Sequence, residues 1–323
     1  MMRTARIIGT GSSVPDRIVT NEDLAGIVDT NDEWIRERTG IKRRRLSENE
    51  TVSRLAAEAA ERALENAGIR PEEIGLILVA TSTADSLFPN TACLVQKEIG
   101  NHSAVCFDLN AACTGFLYAL NAAEGMVAAG MCDTALVIGA ENMSKVIDWK
   151  DRSTCILFGD GAGAAVIQAA ETGWIGTDCG SDGSRGDVLT CPGRPLENFL
   201  TGSSEKEREY LKMDGQAVFK FAVKTVPASI QKLLNKAGVK KEEIRFYVLH
   251  QANERIIAAA AKRLGEPLEK FPVNLSEYGN TSAASIPILL DEMNRTGKLS
   301  RGDIIVLAGF GAGLTWGTTL LTW

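Results

Sequence analysis

The chain reads as an α/β protein of two similar halves, and three observations carry that reading. The first is an internal repeat. Leu64–Ile74 (LENAGIRPEEI) matches Leu234–Ile244 (LNKAGVKKEEI), and Asp133–Gly139 (DTALVIG) matches Asp303–Gly309 (DIIVLAG), both at a separation of 170 residues. That period is far too long for a solenoid. The second is the alternation of helical patterns with short apolar, β-branched runs, as in a layered fold with covered sheets. The third is composition. Of 323 residues, 45% are hydrophobic and 24% charged, enough apolar material for a large core. The halves are expected to be residues 1–172 and 173–323, joined near Glu171 to Asp178.

Each element follows from local pattern. Thr51 to Asn66 has apolar residues at helical spacing, and Gly68 stands where a helix-ending glycine belongs. Ile74 to Ala80 has the length and β-branching of a strand. Ser103 to Leu109 reads as a buried strand and Thr114 to Ala129 as a helix with an apolar face. In the second half Ala217 to Lys236 is helical in pattern, with Pro227 expected to kink or split it. Gly238 ends it, and Phe246 to Leu249 is the matching strand. Cys191 to Lys212 is polar and reads as a long surface loop, a candidate flap.

Composition also excludes functions. Thirty-five basic against 41 acidic residues leave a net charge of −6, which argues against nucleic acid as the main partner. No apolar run reaches the roughly 18 residues of a membrane span. The first 15 residues carry Arg3 and Arg6 and no cleavable signal pattern, so a cytoplasmic location is expected. Seven cysteines form no CxxC pair, and the only histidines are His102 and His250. No metal site is expected from that set.

Chemistry could sit at three loops. Cys113, in NAACTGF (110–116), stands between a strand and a helix start, where the helix dipole and backbone N–H groups favour thiolate and oxyanion. A buried structural thiol is the alternative. His250 closes the strand ending at Leu249, at the strand end where α/β proteins place ligand-facing groups, and a satisfied core histidine is its alternative. Asn253 could cap the following helix. Asn280 lies opposite Asn110 at the same 170-residue separation, so its loop is the counterpart of the cysteine loop; alone it would be a turn residue. The glycine-rich runs 159–163 and 309–317 fit no nucleotide-binding pattern and more plainly serve close backbone approach. Arg36, Arg38, Lys42, Arg43, Arg44 and Arg45 read either as a solvated loop or as a phosphate patch.

Together NAACTGF, His250-Gln-Ala-Asn253, Gly279-Asn280-Thr-Ser-Ala-Ala and the run 309–317 resemble the β-ketoacyl-[acyl-carrier-protein] synthase III family, from Ile7 to the C-terminus. The resemblance implies a thiolase-like αβαβα sandwich of two duplicated halves. It also implies decarboxylative condensation of a short acyl-CoA primer, acetyl-CoA first among them, with malonyl-acyl carrier protein at the start of fatty-acid synthesis. Cys113 would be the nucleophile, His250 and Asn280 would complete the triad, and the Ala312 N–H would join that of Cys113 in an oxyanion hole. Coenzyme A thioester would be a substrate, with no permanently bound cofactor. Trp34 and Arg152 would sandwich its adenine, with Arg38 and Thr30 at the nucleotide and Gly215, Phe219 and Asn253 along the pantetheine. Lys220, Arg255, Lys262 and Arg263 would receive the acidic carrier protein. Phe88 would cross to the partner's acyl pocket in a homodimer. The elongating relatives use Cys-His-His, and His102 precedes the cysteine strand, out of order for that set. A hydroxymethylglutaryl-CoA synthase or secondary-metabolite ketosynthase stays as the near alternative, and a Cys-His-Asn amidohydrolase as one from another class.

Overall fold

Nine strands in two sheets organise the chain. The structure is a computed structural model that describes residues 3–193, 200 and 209–323. The first sheet holds β1 (Thr4–Ser13), β2 (Leu76–Ala80), β3 (Val105–Leu109), β4 (Thr134–Asn142) and β5 (Asp160–Ala170), in the order β1-β5-β4-β2-β3. Strands β2, β3 and β4 are mutually parallel, while β5 is antiparallel to β4 and β1. The second sheet holds β6 (Trp174–Ser181), β7 (Ile244–Leu249), β8 (Ile304–Gly311) and β9 (Thr315–Thr322), in the order β7-β8-β9-β6. Only its β7–β8 pair is parallel.

Six helices matter for the site: α1 (Asp32–Thr39), α2 (Val52–Ala67), α3 (Gly115–Ala128), α4 (Gly215–Ala237), α5 (Glu254–Leu264) and α6 (Ser285–Arg295). Helix α2 packs on β1, β4 and β5 of the first sheet, and α4 on β6, β8 and β9 of the second. Helices α3 and α6 touch strands of both sheets and form the middle of five layers. A helix between two sheets has no wet side, which is why Phe116, Leu117, Ala119, Leu120, Ala123 and Val127 of α3 are all fully buried. Gly68 and Gly238, both at φ +68°, end α2 and α4 as the sequence suggests, and Thr51, read there as the first helical residue, caps α2 by accepting from Arg54 N at 3.2 Å.

Three expectations need correction. Pro227 does not split α4, which runs unbroken for 23 residues. The proline removes one backbone hydrogen bond, and buried Val223, Val226 and Ile230 hold the helix on the sheet around it. Ser103 to Leu109 is not a buried strand: it begins at Val105, which is 58% exposed, because β3 is the open edge of its sheet. Lys212 belongs to no loop, since Lys212–Met213 pairs with Leu189–Thr190 in a small two-stranded sheet. The rest of the Cys191–Lys212 stretch lies largely outside the described residues.

Candidate active site

The C-terminal ends of four strands, two from each sheet, converge where the two halves meet. Strand β3 delivers Asn110, a tight turn Ala112–Thr114 holding Cys113, and then α3. Strand β7 delivers His250, β4 ends with Glu141 and Asn142, and β8 ends with Gly311 before Ala312. Asn280 and the turn Ser282–Ala284 lead into α6. Backbone contact sets this spacing. A Cβ on Gly139 would collide with the Ala283 carbonyl, and one on Gly311 would lie 3.0 Å from Cys113 N. Gly159 and Gly163 face the backbones of Tyr278 and Ile288 in the same way, so these glycines do permit close approach.

One cavity of about 870 Å³ is lined by Cys113, His250, Asn280 and Ala312, and also by Trp34, Arg38, Gly215, Phe219, Lys220, Asn253 and Arg255. It runs from exposed Arg38, Lys220 and Arg255 to the buried Cys113, His250 and Asn280. Eleven of the residues singled out in the sequence thus share one wall. Ala312 has ordinary backbone angles; the left-handed value falls on Gly313 instead, at φ +135°.

The electrostatics differ from the expectation of an activated thiolate. Cys113 opens a helix, yet burial pushes its thiol up to about 12. The Ser282 hydroxyl pulls it back in part, and the Glu141 charge raises it further. Burial lowers His250 to about 3, so its ring is neutral at physiological pH. Its Nδ1 lies 2.6 Å from Ser285 Oγ, and that oxygen faces Gln251 N at 3.4 Å. We assign the serine hydrogen to Nδ1 on this pattern, which leaves Nε2–H as the ring donor. Asn280 Oδ1 accepts from Ser282 N at 2.9 Å, so its amide NH₂ is the end left to donate.

Other expected residues sit apart from the cavity wall. Arg152 rests on the Trp34 ring at 4.7 Å and donates to the Asp29 carbonyl at 2.7 Å, while Arg38 lies 4.4 Å from the same ring. The Trp34 ring is therefore flanked by two guanidinium groups of the chain itself. Thr30 lies outside the wall, and its buried hydroxyl has no partner among the described residues. Lys262 and Arg263 are exposed in the last turn of α5. Asn253 does cap that helix, accepting from Arg255 N at 2.9 Å. Phe88 is 84% exposed beside Leu87.

The cation run is neither a solvated loop throughout nor a single phosphate patch. Arg44 is fully buried and bonded to Asn21 Oδ1 and the Ile156 carbonyl, Arg43 pairs with Glu277, and Arg36 pairs with Asp32. Of the six, only Arg38 lines the cavity. Sequence reasoning missed Glu141, Ser282 and Ser285. The 170-residue repeat held a signal for the first, because Glu141 aligns with Gly311 beside the site.

Comparison with known proteins agrees with this geometry. The family model for 3-oxoacyl-[acyl-carrier-protein] synthase III matches residues 107–183, and the model of its C-terminal part matches 234–323. The chain is 53% identical over 323 residues to the β-ketoacyl-[acyl-carrier-protein] synthase III of Clostridium acetobutylicum, covering 100% of this chain and 99% of that protein. Identity to the Clostridium novyi protein of the same name is 50%, with full coverage of both. The crystal structure of 3-oxoacyl-[acyl-carrier-protein] synthase III from Aquifex aeolicus superposes with a TM-score of 0.91 at 46% identity, covering 99% of this chain and 100% of that one. A priming β-ketosynthase of the R1128 polyketide pathway superposes at 0.92 with 37% identity, covering 99% and 96%. The five layers are the thiolase-like arrangement, and with relatives of this identity spanning the whole chain, the protein belongs to the β-ketoacyl-[acyl-carrier-protein] synthase III family of condensing acyltransferases.

Proposed function

We propose that the chain joins a short acyl-CoA primer, acetyl-CoA in the first instance, to malonyl-acyl carrier protein, releasing CoA and CO₂ and leaving a β-ketoacyl chain on the carrier. The observation that carries this reading is the single cavity holding Cys113, His250 and Asn280 at its buried end. Residues 1–172 supply the nucleophile and residues 173–323 supply the two donors.

In the first half-reaction the Cys113 sulfur attacks the primer thioester, the carbonyl oxygen turns toward the N–H groups of Cys113 and Ala312, and CoA leaves. In the second, malonyl thioester loses CO₂. Its carbonyl oxygen gathers negative charge, and the His250 Nε2–H and Asn280 amide are the donors for it. A histidine held at about 3 suits this task, since it donates a hydrogen bond without taking up a proton. The enolate carbon then attacks the acyl group on Cys113, and the sulfur leaves.

Around this chemistry, Trp34, Arg38, Arg152 and Thr30 take the CoA nucleotide, with Arg152 swinging off Trp34 to admit the adenine. Gly215, Phe219 and Asn253 line the pantetheine path. The exposed cations Lys220, Arg255, Lys262 and Arg263 receive an acidic carrier protein, an attraction that weakens with salt. Phe88 caps the acyl pocket of a second copy in a homodimer. The chain works in the cytoplasm and needs no resident cofactor.

The deciding experiment is intact-protein mass spectrometry after incubation with acetyl-CoA, followed by a peptide map. One acetyl group on Cys113 supports the reading. No adduct with acetyl-CoA or longer acyl-CoAs would overturn it.

A further inference from the structure

Glu141 is a carboxylate with no solvent exposure at the end of β4, and among the described residues its hydrogen-bond partners are all neutral donors. Ser82 N reaches both its oxygens, at 3.2 and 3.1 Å. The hydroxyls of Thr83 and Thr81 also point to Oε2. Each of those hydroxyls already accepts an N–H, Thr81 from Thr83 N at 3.1 Å and Thr83 from Asn142 N at 2.9 Å, so each turns its hydrogen to the carboxylate. The fourth donor comes from the other half of the chain: Ser282 Oγ donates to Oε1 at 3.1 Å. The buried carboxylate is thus an acceptor held by four neutral donors, one of which, Ser282, stands on the cavity wall with Cys113.

That placement answers a gap in the chemistry. A thiol at about 12 does not ionise by itself near neutral pH, and a histidine at about 3 with its Nε2 protonated is no base for it. Burial raises Glu141 to about 7, the range of a useful proton acceptor. Ser282, which donates to that carboxylate, lines the same cavity as Cys113, and its turn packs against the turn Ala112–Thr114 that holds the cysteine. The other charged or titratable groups nearby are differently engaged. Lys145 donates to the carbonyls of Thr83 and Ala84, and Asp160 on the neighbouring strand accepts from Ser47 N and from Ser144. His250 faces Ser285.

We propose that Glu141 is a positioning residue that acts through the Ser282 hydroxyl as the proton acceptor for Cys113 during primer uptake. The inference rests on Cys113 being the nucleophile. The thiol S–H bond breaks, its proton passes to Ser282 Oγ, and the serine's own proton passes to Glu141 Oε1. The electron pair left on sulfur forms the new C–S bond, and the bond from the acyl carbon to CoA breaks. The departing CoA thiolate takes the proton back, so acylation is neutral in protons and the anionic charge moves between carboxylate and sulfur.

The test is the pH dependence of Cys113 alkylation by iodoacetamide, read by peptide mass spectrometry between pH 5.5 and 9.5 (roughly the span around the useful range for an acceptor near 7). Wild type should show an inflection near pH 7. Glu141→Gln should lose it and react at least about tenfold more slowly at pH 7.5, one pK unit or more of lost proton acceptance. Ser282→Ala keeps the carboxylate, removes the relay and should also lose the inflection; it decides the matter alone if the Gln variant does not fold. An inflection retained in either variant overturns the proposal. So does faster alkylation of Glu141→Gln at neutral pH, which would make Glu141 only a charge opposing the thiolate. Failure of wild type to accept an acetyl group would instead overturn the functional reading, and the alkylation profile would still judge the relay.

Discussion

Ala112 and Ser282, separated by 170 positions, both hold left-handed backbone angles, φ +46° and +49°. Neither is glycine, and they are the only two described non-glycine residues with positive φ. Each N–H is held by the asparagine two residues earlier, Ala112 N to Asn110 Oδ1 at 3.2 Å and Ser282 N to Asn280 Oδ1 at 2.9 Å. The same strained turn thus presents Cys113 in one half and follows Asn280 in the other. Such conformations persist where surrounding contacts hold them, and they gather at functional sites.

Relieving one of these turns should therefore separate stability from activity. Ala112→Gly is expected to gain at most about 1 kcal/mol, since the penalty for a left-handed alanine is offset in part by glycine's greater freedom when unfolded. Acylation of Cys113 should slow in the same variant. Thermal unfolding and acetylation rate check this, and a lower melting temperature would speak against strain at residue 112.

Cys113→Ser should leave the fold intact and abolish formation of the acyl-enzyme, because the hydroxyl is a far weaker nucleophile in the same buried place. Mass spectrometry after acetyl-CoA and a melting curve report the two effects. Normal turnover by this variant would remove Cys113 from the mechanism.

Asn280→Asp keeps the acceptor that holds Ser282 N and replaces the amide donor. Loss of one oxyanion donor costs about 10²-fold or more in rate. CO₂ release from malonyl-acyl carrier protein should fall by that order while acetylation of Cys113 changes little. Equal losses in both half-reactions would contradict the division of labour.

His250 should leave a mark on stability as a function of pH. Its folded value of about 3 lies below the ordinary 6.5, so the unfolded chain binds the proton more readily. Its contribution is complete above about 6.5 and is lost as pH falls from there toward about 3. Comparing urea unfolding at pH 7.5 and 5, wild type should lose about 2 kcal/mol more than His250→Gln. Identical losses would mean the imidazole ionises freely in the fold.

Shortening Trp34 to alanine should weaken CoA binding by roughly 1–2 kcal/mol, about 5- to 30-fold, through lost stacking and cation–π contact. The acetylation rate at saturating acetyl-CoA should hold. The concentration dependence of acetylation separates the two, and an unchanged half-saturation would place the nucleotide elsewhere.

Legibility tracked the range of the forces involved. The helices α2 and α4 with their glycine ends, and the loops of Cys113, His250 and Asn280, rest on residues near one another in sequence, and the repeat shows by direct comparison of such short segments 170 residues apart. Apart from its alignment with Gly311 in the repeat, nothing local marks Glu141, because its partners stand 59 and 141 positions away, at Ser82 and Ser282, and a glutamate at a strand end otherwise reads as a surface residue. Val105 misled for a related reason, since an apolar strand looks the same at an open edge as in the middle of a sheet. Arg44 sits among five other cations, and nothing local shows that this one turns inward to the Ile156 carbonyl.

The close backbone approach at Gly139 and Gly311 has a wider consequence. Main-chain atoms, rather than adjustable side chains, set the separation of β4 from the asparagine turn and of the cysteine turn from the strand end before Ala312. The side chains of Met143, Leu157, Phe158 and Leu211 line the same cavity without making those contacts. Side-chain changes on that wall can therefore reshape the cavity while the main-chain contacts that space the turns keep their dimensions.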